Sequence, residues 1–217
     1  MKSVLISNRP KWCGKICHEI GKDENGKPIY EKRIEVRKTA PKEVPFKAYI
    51  YCTKDRRNLL PIEHGKVLQK VNFWENTDAY YGFGKVIGEF ICDEVEEFHE
   101  WELSPQGKFA DFERERLENF LTAACLSEEE VVRYRENLPY FKLLYGWHIS
   151  DLKIYDKPKK LSEFFVHKKV KGGCENCAYY RTPTLEFCQD CKSGKQPKKY
   201  LTSPPQSWMY VEEIETR

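Results

Sequence analysis

In the stretch Glu31-Lys32-Arg33-Ile34-Glu35-Val36-Arg37-Lys38, Ile34 and Val36 alternate with charged residues. A period of two marks a strand with one buried face, because successive side chains leave a strand on opposite sides. The stretch predicts a strand that buries Ile34 and Val36 and projects Arg33, Glu35 and Arg37 together on its other face. That face has two readings. It is an exposed strand with a ladder of charges, or it is the charged floor of a cleft.

Other strands are legible on either side. Residues 3–7, 46–52, 85–93, 146–155 and 206–212 are short apolar or alternating runs bounded by turn residues. Arg9-Pro10 stops the first and opens a helix, since proline is tolerated in a helix's first turn. Trp12, Ile16 and Ile20 follow at helical spacing. Cys13 and Cys17 beside them read as core thiols rather than as metal ligands with His18. Residues 53–80 read as a polar loop excursion. Gly82 and Gly84 lack the third glycine and the helix that a phosphate loop needs. Residues 109–123 place Phe109, Phe112, Leu117, Phe120 and Leu121 on one helical face. Ser127 and Glu130 form a capping-box signature for another helix, ended by Pro139. Five or six short strands with few helices predict an α+β fold built on a small β-barrel.

The chain of 217 residues is 40% apolar and 14% aromatic, enough for the core of one good-sized domain. Net charge is only +3, so its distribution matters more than its sum. Residues 27–57 carry ten Lys and Arg against four Asp and Glu; residues 89–118 carry three against eleven; residues 168–199 carry eight against three. Two basic regions flanking an acidic one suit an oriented polyanion, although solvated helix faces give the same pattern. No run approaches eighteen apolar residues and the N-terminus lacks a signal-like apolar stretch, so a cytoplasmic protein without a membrane partner is expected.

Cys174-Glu175-Asn176-Cys177 and Cys188-Gln189-Asp190-Cys191 are two Cys-x-x-Cys knuckles separated by ten residues. Two such pairs present four thiolates to one tetrahedral cation, the pattern of a structural zinc ribbon. Two disulfides are the competing reading. Nine cysteines, an odd number, point to a reducing compartment and favour zinc. With four protein ligands no position stays open for a catalytic water.

Taken together, residues 6–13, 32–38, 86–90, 145–152 and 203–208 resemble the ASCH domain of the PUA-like superfamily, in a variant like those of bacteria and their phages. The resemblance spans most of residues 1–217 as a single domain, leaving out the excursion at 53–80 and a zinc-ribbon insertion at 167–200. It implies a PUA-like barrel with flanking helices and a cleft lined by the motif of Lys32, Glu35 and Arg37. The family is mostly regarded as RNA-binding, and related domains read single nucleotides or modified bases. Arg33 stands where the family often has Thr, and Tyr30 where it has Gly.

A nucleic-acid-binding module is the first functional expectation, for RNA, another single strand or a nucleotide. Arg9, Lys32, Arg33, Arg37 and Lys38 would meet phosphates, and Trp12, Tyr51 or Trp147 would stack on a base. Glu35 would accept from an exocyclic amine. For Trp12 and Trp147, plain core packing is the alternative. The second expectation is an enzyme, since some members of the family deacetylate acetylated cytidine with Lys, Thr and Glu. Lys32 matches the lysine, but Glu35 occupies the nucleophile's position, where a carboxylate can serve only as a base toward water. Glu89 is the candidate for the remaining acid, on its barrel position alone, and the departure at the nucleophile weighs against turnover. A third expectation is an adaptor whose zinc insertion meets a protein partner.

Overall fold

The computed structural model describes residues 1–54, 61–63, 66–67, 80–98, 111–135, 143–167 and 198–213. β1 (Lys2–Asn8) runs into Arg9-Pro10, where α1 (Pro10–Cys17) begins with proline in its first turn. A hairpin of β2 (Glu19–Lys22) and β3 (Pro28–Tyr30) follows, its turn held by Asp23 Oδ1, which accepts from the backbone of Asn25 and Lys27. β4 (Ile34–Arg37) and β5 (Phe46–Cys52) come next, then the short β6 (Pro61–Glu63), β7 (Lys66–Val67) and β8 (Tyr80–Tyr81). β9 (Lys85–Cys92) and β10 (Val95–Phe98) precede two helices, α2 (Asp111–Ala124) and α3 (Glu128–Arg135). The chain ends its described course in β11 (Leu144–His148), β12 (Ser150–Lys159), β13 (Phe164–His167), β14 (Lys198–Tyr200), β15 (Trp208–Tyr210) and β16 (Glu212–Glu213).

The central sheet has the order β12-β9-β5-β1-β15. β1 and β5 pair in parallel, from Lys2↔Phe46 to Asn8↔Cys52, so both strands finish at one edge. There the Thr53 amide donates to the Asn8 carbonyl at 2.8 Å. A second sheet, β10-β11-β4, carries the charged motif on an outer strand. Among the described residues the sheets do not close into the barrel that was expected; the fold is a mixed α+β arrangement of several sheets and three helices. The residues described between 53 and 80 build a small sheet, β7-β6-β8, and Ile62 is fully buried in the main core.

Three apolar clusters hold these layers. α1 covers one face of the central sheet, where Val4, Ile6, Ile16, Phe46, Ile50 and Trp147 are buried. Phe164, Leu201 and Val211 cover its other face against Leu5, Tyr49 and Tyr51. The third cluster packs α2 and α3 against Ile34, Val36 and Leu144. Each fully buried large apolar side chain contributes about 1.5–3 kcal/mol. α2 comes so close to β11 that a Cβ on Gly146 would sit 2.8 Å from the Phe120 ring. α3 has the capping box read from Ser127 and Glu130, with bonds of 3.1 and 3.2 Å in the two directions.

Candidate nucleic-acid interface

Backbone bonds on both sides of β4 decide where its charges go. The Lys32 amide donates to Lys15 O at 3.1 Å and the Arg33 amide to Ala123 O at 2.7 Å, while Arg33 O accepts from Ile149 at 2.8 Å. Lys32 and Arg33 therefore leave the chain toward different clefts. Lys32, Glu35 and Arg37 are 2, 6 and 5% exposed and meet at the base of one cleft. Arg33 is exposed and lines the other.

The base is an ion triad. Lys32 Nζ donates to Ala124 O at 2.8 Å and lies 3.6 Å from Glu35 Oε2. Ala124 is the last residue of α2, so its carbonyl is one of the acceptors a helix end leaves unpaired, and the ammonium caps the negative end of the helix dipole. Cys125 continues with φ of 56°, the left-handed turn that commonly closes a helix. Arg37 Nη2 reaches Glu35 Oε1 at 2.9 Å and donates to Ser7 O at 3.2 Å and to Asn8 Oδ1. Its Nη1 donates to Ser207 O at 3.2 Å and Ser207 Oγ at 3.4 Å. One guanidinium thus ties together β1, β4 and the segment before β15. Burial pushes the Lys32 ammonium below the ordinary lysine range, against the opposing pull of Glu35.

Several polar atoms of this base have no hydrogen bond: Glu35 Oε2, Asn8 Nδ2, Arg37 Nε and Ser7 Oγ. Arginine can only donate, so Arg37 holds the Asn8 oxygen and turns the Asn8 NH2 away from itself. Each unpaired buried group costs about 1–3 kcal/mol.

Above the base the cleft encloses about 730 Å³. Trp12 on α1 and Tyr134 on α3 stand in its lining with Arg9, Thr53, Glu130 and Arg133, and residues 205–207 form a further wall. Lys11 and Lys32 lie 4.5 and 5.3 Å from the Trp12 ring centre. Lys11 also bridges to Glu130 at 3.2 Å, which links α1 to α3. The second cleft, of about 550 Å³, lies beside α2 and is lined by Arg33, Glu94, Glu96, Glu115, Arg116 and His148 among others.

Of the expected site, the structure brings together Arg9, Trp12, Lys32, Glu35 and Arg37. Five others fall elsewhere. Arg33 precedes β4 and turns into the acidic cleft, so it does not share a face with Glu35 and Arg37. Lys38 sits over the Tyr134 ring at 4.9 Å, outside the lining. Tyr51 is 4% exposed in the cluster beneath Phe164 and Leu201, and cannot stack on a base. Trp147 is fully buried, edge-on to Phe46 at 5.0 Å and Trp208 at 5.7 Å, which makes it core. Glu89 lies on the face of the central sheet remote from α1, bonded to Lys47 at 3.1 Å and to Tyr155, and is not an acid for Lys32. Burial pushes the Cys17 thiol up to about 12, and drives Cys13 higher than a free thiol as well, so both stay neutral in the core. Cys174, Cys177, Cys188 and Cys191 lie outside the described residues. Among the described residues no three potential ligands converge on a metal position.

Sequence reasoning missed Asn8, Thr53, Arg133, Tyr134 and Ser207. Asn8 and Thr53 follow from the parallel pairing of β1 with β5, and the α3 residues from a helix packing 90 residues away in sequence. Only Asn8, next to Arg9-Pro10, had a local signal.

Compared with solved structures, the chain is similar to ASCH from Zymomonas mobilis at 14% identity, covering 97% of this chain and 88% of that one with a TM-score of 0.44. Two mutants of that Zymomonas mobilis protein give TM-scores of 0.42, at 14% and 13% identity; each comparison covers 99% of this chain, and 91% and 94% of the mutant chains respectively. No family model and no curated protein matches the chain.

Proposed function

We propose that the cleft above Lys32, Glu35 and Arg37 binds single-stranded nucleic acid by taking in one base. The observation that carries this reading is a buried, charged base with uncommitted hydrogen-bonding atoms beneath an open concavity of about 730 Å³. Glu35 Oε2, 3.6 Å from Lys32 Nζ, and the Asn8 NH2 keep hydrogen-bonding capacity that a ligand in the cleft could use. Trp12 and Tyr134 offer ring faces, worth about 1–3 kcal/mol per stacked base. Four cations against two carboxylates line the cleft, Arg9, Lys32, Arg37 and Arg133 against Glu35 and Glu130, which favours an anionic guest.

The test is binding of a short mixed-sequence single-stranded RNA, followed by tryptophan fluorescence, at 50 and 200 mM salt. Affinity is expected to fall steeply with salt, as phosphate contacts release counterions. Trp12→Ala and Glu35→Gln should each weaken it. An affinity indifferent to both substitutions would remove the cleft from the account.

A second reading, hydrolysis of an acylated base amine, draws on the burial of Lys32 beside Glu35 at the base of the cleft, where burial pushes the lysine below its ordinary range. Turnover of acetylated cytidine that disappears in Lys32→Ala would favour it. For the insertion at 167–200 we propose structural zinc on Cys174, Cys177, Cys188 and Cys191, which would supply about 10–16 kcal/mol of folding free energy there. Metal analysis should find one zinc per chain in the wild type and none in a Cys174→Ser, Cys188→Ser double variant.

A further inference from the structure

Two of the cleft's four cations are already engaged within the protein. Lys32 is held by Ala124 O beside Glu35, and Arg37 is spread over Glu35, Ser7, Asn8 and Ser207. Neither can turn toward a ligand's phosphate without abandoning those partners. Two arginines in the lining differ. Arg9 and Arg133 are exposed, and neither has an ion pair among the described residues. They approach from opposite walls: Arg9 is the N-cap residue of α1, and Arg133 lies one turn after Glu130 on α3. The Lys11–Glu130 bridge of 3.2 Å fixes those two walls against each other.

At the start of α1 the Trp12 and Cys13 amides donate to Arg9 O at 2.9 and 3.0 Å. Pro10 has no amide hydrogen, Arg9 makes no side-chain cap bond and the first turn has no acidic residue, so the Lys11 amide is the donor left there and the positive end of the helix dipole is unopposed. Beside this turn, Asn8 is 5% exposed and lines the same cleft, and its Nδ2 has no partner because its oxygen is held by Arg37.

We infer that Arg9 and Arg133 form a phosphate subsite at the mouth of the cleft, so that the guest is a nucleotide, recognised by base and phosphate together, rather than a free nucleoside. The inference rests on the base-binding reading and adds to it which residues hold the anion. Guanidinium groups suit a nucleotide's phosphate, whether the singly charged diester within a strand or the monoester of a mononucleotide, which carries roughly −1.5 to −2 charges at neutral pH. The triad under the base then has a positioning role, and the phosphate is met only at the rim.

The experiment is calorimetric titration of the full chain with each of the four common ribonucleosides, the corresponding 5′- and 3′-monophosphates, and inorganic phosphate, at low salt. At least one monophosphate should bind about tenfold or more tightly than its nucleoside, a gain of the size expected for charge-assisted bonds. Arg9→Gln and Arg133→Gln should each remove most of that gain, with a much smaller fold-change in nucleoside affinity. Arg33→Gln, in the other cleft, should leave both unchanged. Because Arg9 and Arg133 are exposed, these variants are expected to fold, and circular dichroism checks that. Equal binding of nucleoside and monophosphate, unaffected in either arginine variant, would overturn the subsite while leaving the base reading intact. Phosphate binding that depends on Arg9 and Arg133, with no nucleoside binding, would uphold the subsite and sink the base reading. No binding of any probe would sink both.

Discussion

Two networks of lysines and glutamates stiffen this protein, and they are built to different rules. On the face of the central sheet remote from α1, Glu89 gives one carboxylate oxygen to Lys47 and the other to Tyr155. Glu213 gives one to Lys159 and the other to Tyr49. Every carboxylate oxygen there is used, and the network ties β16 to the sheet. Beneath the cleft, Glu35 gives one oxygen to Arg37, while the other lies 3.6 Å from Lys32 Nζ and accepts no hydrogen bond. Both networks pair glutamates with lysines, with tyrosines added in the first and an arginine in the second. What separates them is completeness: a finished network serves as a structural tie, whereas an unfinished one below a cavity has bonding capacity left for a guest.

The comparison breaks most visibly at Arg37. Arg37→Ala would strip Glu35, Ser7 O, Asn8 Oδ1 and Ser207 of their shared partner at once, and denaturant unfolding should show a loss of about 3–5 kcal/mol. A loss below about 1 kcal/mol would mean the triad is not a keystone. The two tryptophans sharpen the same contrast. Trp147→Ala should cost about 3–5 kcal/mol of stability as a core truncation. Trp12→Ala should cost less than about 1 kcal/mol yet weaken RNA binding, and equal stability losses would erase the distinction between core and cleft wall.

On the remote face, Tyr155→Phe removes a hydroxyl from an ionised partner and should cost about 1.5–3 kcal/mol. Burial pushes the Glu89 carboxyl up, but Tyr155, Lys47 and Lys159 outweigh it and hold the group below the usual carboxylate range. A depressed carboxylate contributes its stability above the unfolded-state pKa and loses it as pH falls through the folded one. The tie should therefore persist through neutral pH and weaken only on the acid side of the ordinary carboxylate range. Acid unfolding of Tyr155→Phe should show a smaller loss over that window than the wild type, and identical acid limbs would contradict the assignment. The smallest effect is expected at Arg33, whose replacement by Ala should change nucleotide affinity by less than about twofold, because it lines the other cleft.

Most strands, the proline start of α1 and the capping box of α3 were legible because they depend on local periodicity and turn chemistry. Ile34 and Val36 bury as their alternation predicts, against α2 and α3. The same alternation misplaces Arg33, since β4 starts one residue later and Ile149 bonds the Arg33 carbonyl. Nor does alternation reveal that the opposite face of β4 is buried as well, which turns a charge ladder into an ion triad. Trp12 and Trp147 are indistinguishable by residue type; only packing separates a helix-edge ring from one enclosed by Phe46 and Trp208. Most of the cleft was illegible because it is assembled at long range. Arg37 and Ser207 lie 170 positions apart, and Lys32 and Ala124 92 apart. No local pattern records such meetings.

The most direct test of the cleft is an NMR titration of the isotopically labelled chain with a ribonucleoside monophosphate, observing side-chain amides and indoles. The largest shifts should fall on the Asn8 side-chain amide and the Trp12 indole, both of which line the cleft. Shifts confined to Arg33, His148 and the acidic cleft, or no shift at saturating nucleotide, would contradict the account.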